Sequence, residues 1–218
     1  MNTKKITWYV YGAGGLGREC VDIINSMKKN IDSDINIKFL EDNPKKSLIN
    51  NVEVCSFNDH ESEAWVTIAV GEPELRKKLL KKVRACKLKL KSAISYQAYI
   101  SNTAIIEEGC IIAPFCSIQA NAKLEINSLI NTMSIVGHDC HVMKNSVLSS
   151  MVNLGGSSSI GEASFLGMGV LVKENIKIGN QSIVGMSSVV YKDLQSNVIA
   201  IGNPARVAKM NETKKVFK

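Results

Sequence analysis

An uninterrupted hexapeptide period runs through the second half of this 218-residue chain. From Ile94 to Val190 every sixth residue is isoleucine, leucine or valine, and thirteen of the sixteen residues that lie four positions later are alanine, serine or cysteine. A period of six fits neither an amphipathic helix, with about 3.6 residues per turn, nor a half-buried strand. It is typical of a parallel β-helix, in which three hexads form one coil around a narrow interior.

The same register predicts the dimensions and the corners of the β-helix. Coils stack at strand spacing, about 4.8 Å each, so sixteen hexads make about five coils and a prism roughly 25 Å tall. Glycines that directly follow the aliphatic position mark corners where a side chain would crowd the turn. They include Gly155, Gly161, Gly167, Gly179 and Gly185. A β-sandwich is the alternative, but sandwich turns are not evenly spaced.

Two domains are expected, because residues up to about 90 lack the hexads and mix apolar runs with lysine-rich stretches. We place a small α/β domain at 1–90 and the β-helix, with a final tail, at 91–218. No stretch approaches 18 apolar residues, and Gly12 to Glu19 interrupts any signal-peptide core. The six cysteines show no metal-ligand spacing. We therefore expect a cytoplasmic protein without a membrane span.

The formal net charge of +7 is concentrated between Arg76 and Lys91 and from Arg206 onward. Such a run is usually a solvated helix face, but a positive field also attracts phosphorylated small molecules. Nucleic-acid binding is not expected, because no aromatic residues interleave with the lysines to stack on bases.

A phosphate-binding motif lies near the start of the chain. The apolar strand Ile6 to Tyr11 runs into a G-x-G-x-x-G motif and then into residues with helical spacing. Glycines let the backbone approach a ligand, and a helix N-terminus supplies N–H groups and partial positive charge. A nucleotide or nucleotide-sugar site is therefore predicted; the alternative is a glycine turn that only packs helix on strand. The glycines are Gly12, Gly14, Gly15 and Gly17.

Two further strands complete the expected α/β domain. The strand over 35–40 ends in Glu41 and Asp42, about where an acid would meet a ribose hydroxyl. A strand over 65–70 precedes a helix over 73–83, which begins with proline. The domain corresponds to one mononucleotide half of a Rossmann fold, so an NAD-sized ligand would lack its second half.

Two of the three histidines, His138 and His141, lie inside the repeat. Other residues fill the inward slots nearby, so both histidines face solvent or another subunit. Stacking at eighteen residues places Gly156 beside His138, which leaves room for a slender ligand. A neutral imidazole is a suitable general base for an attacking amine or hydroxyl. The N–H groups of Gly155 and Gly156 could hold a developing oxyanion.

His141 is expected in a polar surface column instead. The eighteen-residue register places Lys123, Ser159 and Lys177 around it. A zinc site like that of the hexapeptide-repeat carbonic anhydrases needs three histidines. Only two lie in the repeat, on different columns, so no metal is expected.

Four features together resemble the bacterial sugar acetyltransferases of the sialic acid O-acetyltransferase and bacillosamine N-acetyltransferase family. They are GAGGLGRE near the start, N-T-x-S-x-x-x-H-D-C in the coil, the hexads, and G-N-P-A-R from Gly202 to Arg206. The resemblance implies a Rossmann-like α/β domain for a nucleotide-linked amino sugar or another sugar, followed by a left-handed β-helix. It also implies a homotrimer with acetyl-CoA in the groove between subunits.

By position, the resemblance implies roles for individual residues. His138 matches the catalytic base and Asp139 the adjacent acid that supports it. Asn131 matches an active-site asparagine, and Gly156 the backbone donor to the thioester carbonyl. The pantetheine groove is matched by Met168, Gly185 and Met186, and Gly155, Pro204 and Arg206 complete the expected acetyl-CoA site. The nucleotide-sugar segments contain Gly12, Gly14, Gly17, Glu41, Asp42, Gly71 and Arg76.

Two positions depart from the family pattern. Many members carry a histidine where this chain has Leu16, and a CoA-contacting histidine where it has Val147. We expect an acetyl-CoA-dependent enzyme that N-acetylates a nucleotide-linked amino sugar of the 4-amino-4,6-dideoxy type for surface glycan synthesis, with His138 as base. O-acetylation of a sugar such as sialic acid and a non-catalytic scaffold are the alternatives. Two alternatives are left open: the nucleotide of the acceptor is UDP or GDP, and the transferred group is acetyl or a longer acyl group.

Overall fold

A computed structural model, which describes residues 5–27, 31 and 34–217, places a small α/β domain against one face of a β-helix. The elements of the α/β domain are β1 (Lys5–Tyr11), α1 (Gly15–Met27), β2 (Asp34–Glu41), β3 (Leu48–Ile49), β4 (Val52–Ser56), β5 (Trp65–Ile68), α2 (Pro73–Ala85) and β6 (Lys89–Leu90). The strand order is β3-β4-β2-β1-β5-β6, and all neighbours are parallel except β3 and β4.

This order confirms the expected α/β fold and shows where a ligand would enter. The chain moves from β1 outward to β2 and β4, then returns to the other side of β1 for β5 and β6. Open α/β sheets bind ligands at the carboxyl ends of the strands where the order reverses, which here lies between β1 and β5. The β3–β4 hairpin was missed, although its turn residues Asn50 and Asn51 have φ of 47° and 62° and suit a tight hairpin.

Seventeen two-residue strands, β7 to β23, build the β-helix in three sheets. Sheet 1 contains β7 (Ala93–Ile94), β10 (Ile111–Ile112), β13 (Leu129–Ile130), β16 (Val147–Leu148), β19 (Phe165–Leu166) and β22 (Ile183–Val184). Sheet 2 contains β8 (Tyr99–Ile100), β11 (Ser117–Ile118), β14 (Ile135–Val136), β17 (Asn153–Leu154), β20 (Leu171–Val172) and β23 (Val189–Val190). Sheet 3 contains β9 (Ile105–Ile106), β12 (Lys123–Leu124), β15 (His141–Val142), β18 (Ser159–Ile160) and β21 (Lys177–Ile178).

The hexad register is confirmed strand by strand. Each strand pairs in parallel with the strand eighteen residues later, as in β10 with β13, and its second residue is the hexad aliphatic. From Ile112 onward every such aliphatic is buried. Five of the seven serines of the small-residue slot donate to backbone carbonyls, for example Ser146 Oγ to Gly161 O at 2.7 Å, and the other two pair with Cys110 Sγ or the Gly202 N–H. The interior therefore accepts small polar residues because each hydroxyl finds a partner.

The corners combine two separate backbone requirements. A Cβ on Gly155 would lie 2.5 Å from the backbone nitrogen of Glu174 in the next coil, so glycine is needed there for close stacking, as expected. Left-handed φ occurs two residues later in the turn, at Asp139 (58°), Asn145 (61°) and Ser157 (60°) among others. Asparagine and aspartate tolerate that conformation better than most residues.

The three faces of the prism differ in what covers them. The outward residues of sheet 1, such as Ile111, Leu129 and Val147, are buried where the α/β domain packs. Sheet 3 carries Lys123 and His141 in register, with Ser159 and Lys177 above them, which confirms the polar column.

Among the described residues, sheet 2 carries several exposed apolar side chains, whereas sheet 3 carries one, Ile105. Those of sheet 2 include Tyr99, Ile135 and Leu171. They alternate with the polar residues Ser117 and Asn153 in one column of the sheet.

The hairpin of β24 (Val198–Gly202) and β25 (Ala205–Met210) closes the upper end of sheet 1. Residues 211–217 then run back to the α/β domain, where Phe217 lies beside Gly71. Within the described residues, no helix has the length and apolar character needed to cross a membrane.

Candidate active site

His138 lies on the corner that joins sheet 2 to sheet 3, here called corner 2–3, with its side chain 62% exposed. Its Nδ1–H donates to Asp139 Oδ2 at 2.7 Å, and Asn121 Nδ2 donates to Asp139 Oδ1 at 3.1 Å. The hydrogen bonds from His138 and then Asn121 lower the pKa of Asp139 below its usual value. An ionised acceptor fixes the proton on Nδ1, so Nε2 keeps a lone pair that can accept a proton. Asn121 was missed, although it lies one coil below Asp139.

Gly156 leaves the space that His138 needs. A Cβ on Gly156 would lie 2.4 Å from His138 Nε2, so the expected bare backbone neighbour is confirmed. Among the described residues, no acceptor pairs with the Gly156 N–H. The Gly155 N–H donates to Val172 O at 2.8 Å. The prediction that Gly155 also serves as an oxyanion donor is wrong, because the strand ladder already uses its only N–H.

Most of the residues expected to bind acetyl-CoA lie at a different corner, which joins sheet 1 to sheet 2 and is here called corner 1–2, whereas Gly155 and Gly156 lie with His138 at corner 2–3. Met168 and Met186 are exposed there, one coil apart. Gly202 N–H donates to Ser188 Oγ at 3.0 Å, which brings the turn with Pro204 and Arg206 to the same corner. Gly185 packs beneath this turn, since a Cβ there would lie 2.6 Å from Ile201 Cγ2.

Asn131 also lies at corner 1–2, where its Oδ1 accepts from Thr132 N–H at 2.8 Å. It shares a coil with His138, but β14 separates the two residues. The predicted base and most of the predicted cofactor residues therefore occupy two corners on either side of sheet 2.

The glycine loop divides into structural and open positions. Gly12 has φ of 109°, and a Cβ on Gly17 would lie 2.0 Å from Gly12 O, so these two glycines pack helix on strand. Gly14 and Gly15 differ, because no described atom lies within 4 Å of a Cβ on either. The open pair precedes and begins α1, where N–H groups are free to meet an anion.

Beside this loop lies a crevice of about 210 Å³ at the carboxyl ends of β1, β2 and β5. Glu41 Oε1 accepts from Ala13 N–H at 3.2 Å, and Asp42 accepts from Tyr11 Oη–H and Lys82 Nζ. Partial burial raises the pKa of Asp42, but the bonds from Lys82 and Tyr11 outweigh it and leave that pKa lowered. Both acids thus lie beside the loop, as expected. Sequence analysis did not single out Lys82, because it is one of several lysines between Arg76 and Lys91.

Arg76 is not available to a ligand, so its predicted role in substrate binding is wrong. The side chain is fully buried at the junction of the two domains, and burial lowers its pKa to about 10. Nη1 donates to Ile68 O and Val70 O at 2.8 and 3.0 Å. Nε and Nη2 donate to Asn127, with distances of 2.7–2.9 Å. All five guanidinium N–H groups are used within the protein.

The two departures from the family pattern fall in different environments. Leu16 lines a cavity of about 300 Å³ between α1 and corner 1–2, together with Glu19 and Thr132. Val147 is buried in sheet 1 beneath the α/β domain, so this position cannot contact a cofactor.

Among the described residues no three histidine, cysteine or acidic side chains are grouped to hold a metal.

Comparison with known proteins gives the same architecture. Residues 8–83 match the family model of the PglD N-terminal domain. GDP-perosamine N-acetyltransferase from Escherichia coli O157:H7 is 27% identical over 143 residues, which cover 61% of this chain and 62% of that protein. The chain therefore matches less than two thirds of this relative's length.

Two solved structures match over nearly the whole chain. One is a histidine-to-asparagine variant of perosamine N-acetyltransferase from Caulobacter crescentus, in complex with CoA and GDP-perosamine. It is 27% identical, with a TM-score of 0.84 over 92% of this chain and 96% of that one. The other is the acetyltransferase domain of PglB from Neisseria gonorrhoeae FA1090, in complex with acetyl coenzyme A. It is 26% identical, with a TM-score of 0.87 over 93% and 99%.

Proposed function

We propose that this chain, which belongs to the bacterial sugar acetyltransferases with a PglD-type N-terminal domain, transfers acetyl groups from acetyl-CoA to the amine of a nucleotide-linked sugar. The observation that carries the proposal is the free Nε2 of His138, held by Asp139 and set against Gly156. As the amine attacks the thioester carbonyl, Nε2 takes its proton, the C–S bond breaks and CoA leaves as the thiol. The Gly156 N–H would donate to the carbonyl oxygen as charge develops there.

The acceptor is proposed to be a 4-amino-4,6-dideoxy sugar linked to GDP or UDP, used in surface glycan synthesis. The open glycines Gly14 and Gly15 would approach the phosphates, and Asp42 lies beside the loop for the nucleoside. The names of the similar proteins favour an amine acceptor and GDP. A cytoplasmic location belongs to this proposal, because its two substrates are cytoplasmic metabolites and all six cysteines are free.

The separation of the two corners supports a homotrimer as part of this proposal. His138 lies at corner 2–3, whereas Met168 and Met186 lie at corner 1–2, and exposed apolar side chains of sheet 2 fill the face between them. A closed cyclic arrangement of copies through sheet 2 would bring corner 2–3 of one copy to corner 1–2 of the next. Three such sites would then form, each completed by a neighbouring copy.

A panel of acceptors tests this function. Purified protein is incubated with acetyl-CoA and either GDP- or UDP-linked 4-amino-4,6-dideoxy sugars, or free sialic acid, and products are read by mass. We expect one acetyl group on the amine of a nucleotide-linked sugar. Transfer only to a sialic acid hydroxyl would favour the O-acetyltransferase, and absence of both CoA binding and transfer would favour the scaffold.

A further inference from the structure

Residues 211–217, here called the return segment, leave the β-helix and reach the α/β domain. The segment begins at Asn211, a buried residue. Its N–H donates to Asn197 O at 2.7 Å, and its Nδ2 donates to Gln181 O at 2.8 Å. The start of the return segment is thus fixed to the last coil.

The other end of the segment is held by one carboxylate. The N–H groups of Val216 and Phe217 both donate to Glu72, at 3.0 Å to the nearer oxygens. Glu72 is the N-cap residue of α2, yet its side chain makes no cap hydrogen bond to that helix. Hydrogen bonds to an ionised acceptor are stronger than neutral ones. The carboxylate therefore ties the segment to the β5–α2 turn.

The ring of Phe217 fills the gap between this turn and the β-helix. A Cβ on Gly71 would lie 3.6 Å from its Cε2 atom, an ordinary packing distance. The ring also meets Phe165 of sheet 1 edge to face, with centroids 5.6 Å apart. The side chain nevertheless remains 55% exposed. Phe217 therefore braces Gly71 against the coil.

Gly71 directly follows a residue of the wall of the proposed nucleotide-sugar crevice. Its neighbour Val70 lines that crevice together with Gly12. The two walls of the crevice are close here, since a Cβ on Gly12 of the glycine loop would lie 3.0 Å from Val70 Cγ1. A shift of the Gly71 turn would therefore change the width of the crevice opposite the glycine loop.

We infer that the return segment positions one wall of the nucleotide-sugar site and that Phe217 is a positioning residue, which acts through Gly71. This inference rests on the proposed function for the identity of the ligand. Glu72 serves the same purpose by holding the backbone of Phe217. The competing explanation is a brace that stabilises the junction of the domains and leaves binding unchanged.

The test compares Phe217→Ala with Leu48→Ala in the full chain. Leu48 is a matched control, because its side chain is also 55% exposed and it lies in β3 at the sheet edge. We expect Phe217→Ala to raise the acceptor KM roughly five- to twentyfold, since misplaced binding groups lose affinity steeply. The acetyl-CoA KM and kcat should stay within about twofold, and Phe217→Leu should restore part of the loss. Leu48→Ala should change none of these constants.

Nucleotide binding separates failure of this inference from failure of the proposed function. The Kd values of GDP and UDP are measured by calorimetry for the wild type, Phe217→Ala and Glu72→Gln, and we expect both variants to bind more weakly. A lower melting temperature with unchanged acceptor KM and nucleotide Kd would leave only a brace and overturn the inference. If the wild type acetylates no sugar, the proposed function fails and the Kd values alone decide. A wild type that binds neither nucleotide would overturn both. If Phe217→Ala does not fold, Phe217→Leu and Glu72→Gln give the answer.

Discussion

Arg76 and Asn127 each donate hydrogen bonds to the other across the junction of the two domains. The guanidinium donates to the backbone and side-chain oxygens of Asn127, and Asn127 Nδ2 donates back to Arg76 O at 3.2 Å and to Asn145 Oδ1 at 2.9 Å. The same guanidinium holds the carbonyls at the end of β5. The junction therefore sets where the crevice lies relative to the coils.

Arg76→Met should destabilise the protein by about 3 kcal/mol, because the buried carbonyls would lose their donors. Denaturant unfolding at neutral pH measures the change. The control is Lys77→Met on the same helix, whose half-exposed ion pair with Glu162 spans 3.1 Å and should contribute less than about 1 kcal/mol. Equal losses for the two variants would contradict the structural role of Arg76.

His138→Ala should lower kcat by about 10²- to 10⁴-fold, the range for loss of a general base. Acetyl-CoA affinity should stay near wild type, because Met168 and Met186 lie at the other corner and the substitution leaves the backbone N–H of Gly156 in place. His141→Ala is the control, since His141 Nε2 is paired with Glu125 Oε1 at 2.7 Å and faces the polar column. A His138→Ala enzyme that keeps half its rate would refute the assignment.

Gly14→Val should raise the acceptor KM strongly and leave acetyl-CoA binding unchanged. No described atom lies near the new Cβ, so the fold has room for it, but a branched side chain would block approach of the phosphates. Gly17→Ala should instead lower the melting temperature, because its Cβ would overlap Gly12 O. Equal loss of acceptor and acetyl-CoA affinity in Gly14→Val would mean that the loop is structural.

Asp42 should contribute stability that depends on pH. Its pKa is lowered in the folded state by Lys82 and Tyr11, so the contribution is present above the unfolded value, about 3.9, and is lost as the pH falls through the folded value. Because the pair is half exposed, Asp42→Asn should cost at most about 1 kcal/mol at pH 7. Unfolding curves at pH 7 and near pH 3 should show the difference shrinking. A gap that widens in acid would exclude this linkage.

Mixing two inactive variants should restore activity if sites form between copies. His138→Ala retains an intact corner 1–2, and Met168→Glu retains His138. Random assembly of equal amounts into cyclic trimers would leave about one quarter of the sites with both parts intact. Co-refolded mixtures are assayed beside each variant alone, and their mass is measured in solution. No recovery in mixed trimers would place both parts of the site in one copy.

The β-helix could be predicted because an aliphatic residue at every sixth position fixes the register of every coil. The site could not be predicted in the same way, because it depends on which side chains are buried and which N–H groups are already hydrogen-bonded. Arg76 was assigned to ligand binding because it matches a nucleotide-sugar segment of the family that the chain resembles, yet Arg76, Leu79, Leu80 and Val83 share the buried face of α2. That helical spacing could have placed Arg76 inside. The Gly155 error has a similar origin, because the ladder that follows from the eighteen-residue register already uses its N–H.

The height of His138 relative to the glycine loop is set by a count of residues. The α/β domain is tied to the coil at Asn127, eleven positions before His138 in the sequence. Eighteen residues inserted between them would add one coil and raise the base by about 4.8 Å while leaving every face unchanged. An insertion of six residues would instead move His138 to another corner of the prism. In the proposed enzyme, the number of coils between Asn127 and His138 would therefore set the length of the acceptor that reaches from the glycine loop to the base.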